Sequence, residues 1–420
     1  MFNKLFKKKY TINRHFSAPL LQERLKYLNY WLENGAVKRN IFGIAEYLLT
    51  IIDYLNLEIK HVITTLEIEK AAKKWASRPY NKSRRKHSYR QSAESHFIWH
   101  ATQWLKMIGR LKCPVNKKNH FSKEISQYIN YMRNEKGLSE QTINSHCYKL
   151  NNFLSCVIKN KINSLHKLST LIIENILIEK CNINGYSRTT IQTYASTIRA
   201  FLTYAEQRKW VSRELANTIK TPRTHKYVGI PSGPSWDDVK KLLASTENNN
   251  PIDIRDRAIL MLLAIYALRR SEIVNLRLDD IDWKSEIIFL RRSKNYKLQK
   301  FPLSQSVGHA ILRYLKEVRP NKCLYREIFT STYAPLRPLK PASIFDIVNR
   351  RWKKLNIHVE HRGPHAIRHA CATYLINKGV SLKEIGDHLG QQNLEATRIY
   401  AKVDIESLRK VADFDIGDLL

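Results

Sequence analysis

One segment in the second half of the chain carries arginine and glutamate in a spacing that suits anion chemistry. The sequence ALRRSEIVNLRLDDID places Arg269 and Arg270 at the end of an apolar helical pattern, and Glu272 follows three residues after Arg269. A guanidinium in such a place is costly to bury unless a carboxylate or a rigid anion meets its planar fork of N–H donors. The segment therefore predicts that a guanidinium here meets either a carboxylate or a rigid anion.

Two later segments add a histidine, a second arginine and a tyrosine. In GPHAIRHACATYL the opening Gly-Pro pair predicts a helix start, which places His365 and Arg368 on one helix face at i and i+3. In GDHLGQQNLEATRIYAKVD, Tyr400 lies beyond a break at Gly390. Two arginines with a histidine and a tyrosine are the residue types that phosphate chemistry would use.

Together these segments resemble those of the tyrosine recombinase and integrase family, over roughly residues 121 to 420. ALRRSEI is similar to the family's first arginine box, SKNYKLQKFPL to its lysine hairpin, HAIR to its H-x-x-R box, and RIYAKVD to the segment that carries its nucleophile. The resemblance implies a catalytic set of Arg269 with Glu272 as its supporting carboxylate, Lys294, His365, Arg368 and Tyr400.

The resemblance also implies that DNA strands are cleaved and rejoined without a metal ion, a cofactor or ATP. Arg269 and Arg368 would hold the non-bridging oxygens of a phosphodiester, and Tyr400 would attack the phosphorus to form a 3′-phosphotyrosyl link. Lys294 would protonate the departing 5′ oxygen, and His365 would position or move a proton at the phosphate. In-line displacement at a phosphodiester needs such a cationic clamp and a protonated leaving group.

The residue after Gly390 departs from the family pattern. The family normally has His or Trp there as a further phosphate donor, whereas this chain has Gln391. A glutamine amide can donate a hydrogen bond to a phosphate oxygen, but it has no charge and cannot relay a proton. We therefore expect Gln391 to be a weaker member of the catalytic set. His388 could partly substitute for it or could pack between helices.

Several of the residues assigned to catalysis also have an ordinary structural explanation when each is considered alone. A tyrosine on an amphipathic helix is usually packing, and a lysine in a hairpin turn is normally solvated, here with Lys297 and Lys300 nearby. His361, His365 and His369 recur every four residues, a spacing that zinc sites also use. No HExxH motif or carboxylate completes that set, so we expect no metal site.

The elements that would carry these residues are mainly helices. The patterns GLSEQTINSHCYKLNNFL and GYSRTTIQTYASTIRAFLTYAEQRKW predict amphipathic helices capped by Ser139 and Ser187. An apolar helix is predicted from Ile254 to Leu268, and SEIIFLRRSKNYKLQKFPL predicts a β-hairpin. The predicted fold class is mainly α with a small antiparallel β-sheet (α+β) in the C-terminal catalytic domain, a helical core-binding domain and a helical N-terminal extension.

The chain of 420 residues is longer than the roughly 100 to 200 residues of one domain. The segment TPRTHKYVGIPSGP concentrates Pro, Gly and basic residues, which marks a linker. We predict a basic helical N-terminal extension of unknown role at 1–112, a helical core-binding domain at 118–222, a linker at 223–234 and a catalytic tyrosine recombinase domain at 235–420. The basic run KKWASRPYNKSRRKHSYR in the extension fits a phosphate-contacting arm and a solvated loop equally well.

The charge of the chain points to a polyanionic partner. Lys and Arg number 72 against 37 Asp and Glu, a formal charge of +35, and codon bias alone is the alternative explanation. Double-stranded DNA is the predicted partner, bound by a homo-oligomer (a tetramer), with accessory recombinases as further candidates. The sequence predicts no signal peptide, membrane span or C-x-x-C pair, so we expect a cytoplasmic, nucleoid-associated protein without membrane contact.

The predicted function is that of a site-specific tyrosine recombinase or integrase that serves a mobile element, in DNA integration or transposition. One alternative is a catalytically impaired accessory DNA-binding protein of the same fold, which Gln391 favours. Another is a type IB topoisomerase-like activity. The separate core-binding domain and the tail after Tyr400 favour recombination.

Overall fold

The computed structural model describes residues 1–59, 62–77, 87–112, 120–182, 185–221, 233–292, 298–321 and 323–391. These residues are mainly helical with a small antiparallel sheet, which confirms the predicted fold class. They fall into two compact units: a larger unit within Met1–Lys60, Ala72–Ile108 and Tyr227–Leu420, and a smaller unit within His61–Ala71 and Gly109–Lys226. Among the described helices, none combines the length and the apolar character that a bilayer span requires.

The N-terminal part of the chain is helical, as predicted. Its helices are α1 (Phe2–Leu5), α2 (Lys9–Ser17), α3 (Leu21–Glu33), α4 (Lys38–Leu55), α5 (Thr65–Ala76) and α6 (His87–Met107). In α4, Ile41, Ile44, Leu48 and Ile52 recur at three and four residues and are all buried, so one face of the helix packs into the core. Helix α5 crosses the division between the units at Ala71.

The smaller unit is a helical bundle of α7 (Ser122–Asn130), α8 (Glu140–Lys159), α9 (Thr170–Asn182) and α10 (Arg188–Gln207). Both predicted caps are present: the Ser139 and Ser187 hydroxyls accept hydrogen bonds from the amides of Thr142 and Thr190 at 3.3 and 3.2 Å. The unit also holds a parallel pair, β1 (Ile63–Thr64) and β2 (Leu111–Lys112), which was not predicted. Strands of two residues are too short to show an alternating pattern.

The larger unit contains the predicted hairpin. Strands β4 (Ile287–Arg291) and β5 (Leu298–Pro302) pair antiparallel with Ile288 opposite Phe301, and β3 (Ile281–Asp282) pairs with β4 on its other side. The helices around this sheet are α11 (Trp236–Ala244), α12 (Pro251–Ile265), α13 (Arg270–Val274), α14 (Gln305–Glu317), α15 (Pro341–Lys354), α16 (Pro364–Asn377) and α17 (Leu382–Leu389). The core surrounds α12, in which every residue from 258 to 264 is buried.

Helix α12 ends at Ile265, three residues before its predicted end, and this corrects the predicted position of Arg269. Arg269 does not end the apolar helix but precedes α13 as its N-cap residue. The carbonyls of Ile265 and Ala267 accept hydrogen bonds from the side chains of His388, at 3.0 Å, and Arg368. These two side chains satisfy carbonyl groups that a longer helix would have paired with its own amides.

The N-terminal helices contact the later part of the larger unit directly. The amide of Leu336 donates a hydrogen bond to the carbonyl of Asn34 at 3.1 Å. The Leu336 side chain lies against Gly35, where an added Cβ would be 2.7 Å from Leu336 Cδ1. The predicted domain bounds therefore differ from the division into compact units and stay a prediction. Most of the predicted linker lies outside the described residues.

Candidate active site

Arg269 and Glu272 are held together at the start of α13. One oxygen of Glu272 (Oε2) accepts a hydrogen bond from the Arg269 amide at 2.8 Å, and the other (Oε1) accepts one from Arg269 Nη1 at 2.8 Å. The side chains are 16% and 1% exposed, so the pair is largely shielded from water. The contact fixes both the backbone and the guanidinium of Arg269, and it joins the two residues that the family resemblance pairs.

Arg368 lies on α16 and meets Arg269 at the turn after α17. The Arg368 side chain is buried, and its Nη2 donates to the carbonyl of Leu389 at 2.6 Å. Arg269 Nη2 donates to the next carbonyl, that of Gly390, at 3.3 Å. Two arginines that are far apart in the sequence therefore converge on consecutive peptide groups.

Gly390 shapes the turn that presents Gln391. It ends α17 in the left-handed conformation, with φ +60°, and the Gln391 amide donates to the carbonyl of Gly386 at 2.9 Å. This arrangement is a common helix C-cap, which favours glycine because other residues are strained there. It places Gln391 directly after the two carbonyls that the arginines contact.

His365 lies in the first turn of α16 and is exposed. His369, one turn later, is partly buried, and burial lowers its pKa, as do the nearby charges of His365, Arg368 and His361. The structure thus brings His365 to the same helix as Arg368, with the histidine at the surface and the arginine in the interior.

His388 is a packing residue in this structure. Its Nε2 contacts the carbonyl of Ile265 at 3.0 Å, and its ring meets Phe301 edge-on at 5.7 Å. Burial lowers the pKa of His388, although the contact with the Ile265 carbonyl opposes the shift. Of the two expectations for His388, packing between elements fits these contacts.

Arg292 is a site residue that the sequence reasoning missed. Its side chain is 2% exposed, and its Nη1 donates to Glu272 Oε2 at 3.1 Å. The signal was present in the strand pattern, because Ile288, Leu290 and Arg292 alternate with more exposed residues and all face the interior. An arginine on the buried face of a strand indicates a buried carboxylate partner.

The electrostatics of the site centre on the Glu272 carboxylate. Burial alone would raise its pKa, but the Arg269 amide and the guanidinium groups of Arg292 and Arg269 outweigh burial and hold the pKa below its usual value. Burial lowers the pKa of Arg292, and Glu272 partly offsets this. One ionised carboxylate therefore lies between two guanidinium groups, which leaves the site with excess positive charge for an anion.

Two members of the predicted catalytic set, Lys294 and Tyr400, lie outside the described residues. The strands β4 and β5 that flank Lys294 are described, and they form the predicted hairpin. The catalytic roles assigned from the sequence remain predictions.

Sequence models of known families match two parts of the chain. The model of the "Phage integrase family" matches residues 235–407, and that of the "Phage integrase, N-terminal SAM-like domain" matches residues 125–209. The integrase/recombinase y4rA of Sinorhizobium fredii is 34% identical over 289 residues, which is 69% of each chain. This chain belongs to the phage integrase family of tyrosine recombinases. The predicted family is therefore confirmed, and so is the predicted enzyme class, a recombinase that cleaves and rejoins DNA strands.

Other tyrosine recombinases match over similar lengths. Tyrosine recombinase XerD of Staphylococcus epidermidis is 27% identical over 290 residues, which is 68% of this chain and 96% of the relative. The structure of XerH recombinase bound to palindromic difH substrate has a TM-score of 0.53 at 17% identity and covers 83% of this chain and 95% of its own. At that identity the structural likeness shows the fold alone.

Proposed function

We propose that this tyrosine recombinase cleaves and rejoins DNA at specific sites through a 3′-phosphotyrosyl intermediate on Tyr400, without a metal ion or ATP. The observation that carries the proposal is the convergence of Arg269 and Arg368 on the carbonyls of Gly390 and Leu389. This convergence supports a role in which both guanidinium groups would meet one phosphate. Glu272 would hold Arg269 in this role, because it accepts a hydrogen bond from Arg269 Nη1.

The two arginines would act as a clamp on the scissile phosphate. A phosphodiester carries its negative charge on two non-bridging oxygens, and more charge develops there as a fifth ligand approaches the phosphorus. Guanidinium groups that are already oriented stabilise this charge without reorganising during the reaction. Because Glu272 offsets only one of the cations that surround it, the clamp would remain positive.

The covalent step would exchange one ester for another. The Tyr400 oxygen would attack the phosphorus in line with the 5′ oxygen, the P–O5′ bond would break, and the DNA 3′ phosphate would remain on Tyr400. Lys294 would give a proton to the departing 5′ oxygen, and His365 would receive or position the proton from the tyrosine side of the phosphate. The reverse attack by a 5′ hydroxyl rejoins a strand, because the ester conserves the bond energy.

Double-stranded DNA would be the substrate, bound by a tetramer that exchanges strands between two sites. Solved structures with the same fold include XerH bound to difH substrate and a lambda integrase dimer bound to a COC′ core site, which supports DNA as the ligand of this fold. The name integrase/recombinase of the y4rA relative supports service to a mobile element. The charge of +35 also favours a polyanion.

The test is covalent trapping on nicked duplexes made from the repeats that flank the gene of this protein. A nick beside the cleavage site lets a short strand leave, so the covalent complex accumulates and survives denaturing electrophoresis. We expect the wild-type chain to form it and Tyr400→Phe to form none. Tyr374→Phe is the matched control, because the Tyr374 ring stacks on Trp236 at 4.4 Å and keeps that contact without its hydroxyl.

Gln391 provides the test of the alternative function, an accessory DNA-binding protein. Because glutamine keeps one N–H donor at the phosphate, we expect it to weaken the reaction by about 1 to 2 kcal/mol, or roughly ten-fold in rate, relative to histidine. Gln391→His should therefore speed the formation of the adduct. A wild-type chain that forms no adduct on these duplexes while Gln391→His forms one would favour the accessory DNA-binding protein over the enzyme.

A further inference from the structure

Arg292 is a buried cation directly after β4, a strand that turns aliphatic residues toward the core. Ile288 and Leu290 occupy the preceding buried positions of the strand, and the Arg292 side chain is only 2% exposed. Placing a guanidinium there is unfavourable unless its donors are satisfied, so a packing role alone would favour an apolar residue. The contacts of Arg292 indicate what it does instead.

Arg292 joins three separate elements through its three nitrogens. Nη1 donates to Glu272 Oε2 at 3.1 Å on α13, Nη2 donates to the His388 carbonyl at 2.7 Å on α17, and Nε donates to Gln299 Oε1 at 2.8 Å on β5. Gln299 continues this link by donating to the carbonyl of Asp387 at 2.9 Å. Only the rigid planar fork of arginine can serve three acceptors in these directions at once.

The first of these contacts connects Arg292 to the phosphate clamp. Glu272 Oε2 accepts hydrogen bonds from both Arg292 Nη1 and the Arg269 amide, while Oε1 holds Arg269 Nη1. The orientation of the Glu272 carboxylate therefore depends on Arg292 on one side and determines Arg269 on the other.

The second connection runs through Gly390. A Cβ on Gly390 would lie 2.5 Å from Arg292 Nε and 2.9 Å from Arg292 Cζ, so the two residues are in the closest packing that glycine allows. Arg269 Nη2 contacts the carbonyl of the same glycine at 3.3 Å. Gly390 thus lies between two guanidinium groups, and Gln391 follows it.

We propose that Arg292 is a positioning residue for strand cleavage, which sets the distance between the Arg269 clamp and the turn that presents Gln391. It acts through Glu272 and Gly390, and this role needs no contact between Arg292 and the phosphate. The inference rests on the proposed function. A shift of about 1 Å in a reactive group can lower a rate by about 100-fold, so a modest displacement of the clamp would be visible in the cleavage rate.

The test compares Arg292→Met with Arg291→Met in the full chain. Methionine fills much of the volume of Arg292 but has no donors, whereas Arg291 is the neighbouring arginine and is 74% exposed. At saturating protein on the nicked duplex, we expect Arg292→Met to form the covalent complex about 100-fold more slowly than wild type. Arg291→Met should stay within about two-fold, as expected for an exposed arginine. Arg292→Lys should fall between the two methionine variants.

A second substrate separates positioning from general destabilisation. A methylphosphonate at the cleavage site is neutral, so it needs less help from a cationic clamp. If Arg292 acts through the clamp, the loss in Arg292→Met relative to wild type should shrink from about 100-fold to less than about ten-fold on this substrate. A residue that only supports the fold would give the same loss on both substrates.

Either an unchanged rate in Arg292→Met or equal losses on the two substrates would overturn the inference. If Arg292→Met melts below the assay temperature, Arg292→Lys carries the same comparison, since it keeps the charge but cannot serve all three acceptors. Absence of any adduct in the wild-type chain on the phosphodiester would overturn the proposed function as well. Failure of the inference alone would leave the wild-type adduct intact.

Discussion

Replacing Gly390 by alanine should destabilise the larger unit far more than the same change at a comparable glycine. Gly379 is the matched control: Gly390 and Gly379 both follow a helix with positive φ, +60° and +80°, and each is followed by an amide that bonds to the carbonyl five residues earlier. They differ in their surroundings. A Cβ at Gly379 meets nothing within 4 Å, whereas a Cβ at Gly390 would lie 2.5 Å from Arg292 Nε.

The magnitudes follow from this difference. The left-handed backbone should cost about 1 to 2 kcal/mol in Gly379→Ala. Gly390→Ala should lose the same amount and about 3 kcal/mol more, because the added methyl group displaces Arg292 from Glu272, and breaking a buried ion pair costs about 3 to 5 kcal/mol. Only the lower end of that range is expected, since a displaced Arg292 would keep some of its contacts with the residues around it.

Urea unfolding of the full chain, followed by tryptophan fluorescence, measures both variants. In the Arg292→Ala background the methyl group at position 390 has no long side chain to displace, so Gly390→Ala should there lose only about 1 to 2 kcal/mol. Equal losses for the two glycine variants, or a penalty at Gly390 that persists without Arg292, would refute the proposed packing.

Three further outcomes are expected. Burial, with help from the charge of His96, lowers the pKa of His100 from 6.5 to about 4. The contribution of neutral His100 to stability is therefore complete above pH 6.5, and about 3 kcal/mol of unfolding free energy should be lost as the pH falls from 6.5 to 4. Thermal melts of His100→Phe should accordingly be less acid-sensitive than those of wild type. Asp256 is fully buried and accepts hydrogen bonds from Arg255 and Arg351 at 2.8 and 2.7 Å, so Asp256→Asn should lower the unfolding free energy by about 3 to 5 kcal/mol in urea. Affinity for duplex DNA should fall with salt at a log-log slope of about −0.9 per neutralised phosphate, and a flat titration would contradict electrostatic binding.

Features that depend on a few neighbouring residues could be predicted from the sequence. The caps at Ser139 and Ser187, the β-hairpin and the contact between Arg269 and Glu272 each depend on residues close together in the chain. The same local reasoning failed at the end of α12. There the side chains of Arg368 and His388, from distant segments, satisfy the carbonyls and let the helix stop at Ile265.

The part of the site that the sequence does not predict depends on contacts between segments that are far apart in the chain. The sequence alone does not assign a role to Arg292, because its partners lie on α13, β5 and α17 and the strand pattern does not identify them. The convergence of Arg269 and Arg368 followed from resemblance to a family and not from spacing, since no local rule brings α13 and α16 together. The packing of the first hundred residues could not be predicted from local sequence patterns either, because their contact with Leu336 joins distant parts of the chain.

The contact between Gly35 and Leu336 joins the N-terminal helices to the later part of the larger unit. Leu336 occupies the space that a side chain at position 35 would need, so a larger residue at position 35 would displace Leu336. The packing of the first hundred residues therefore depends on a residue outside them, and it would change if they were moved onto another recombinase. A chimaera would keep this side-chain contact only if Leu336 were transferred with them. A shortened chain that begins after residue 108 would expose this half-buried leucine further and leave its amide without the Asn34 acceptor.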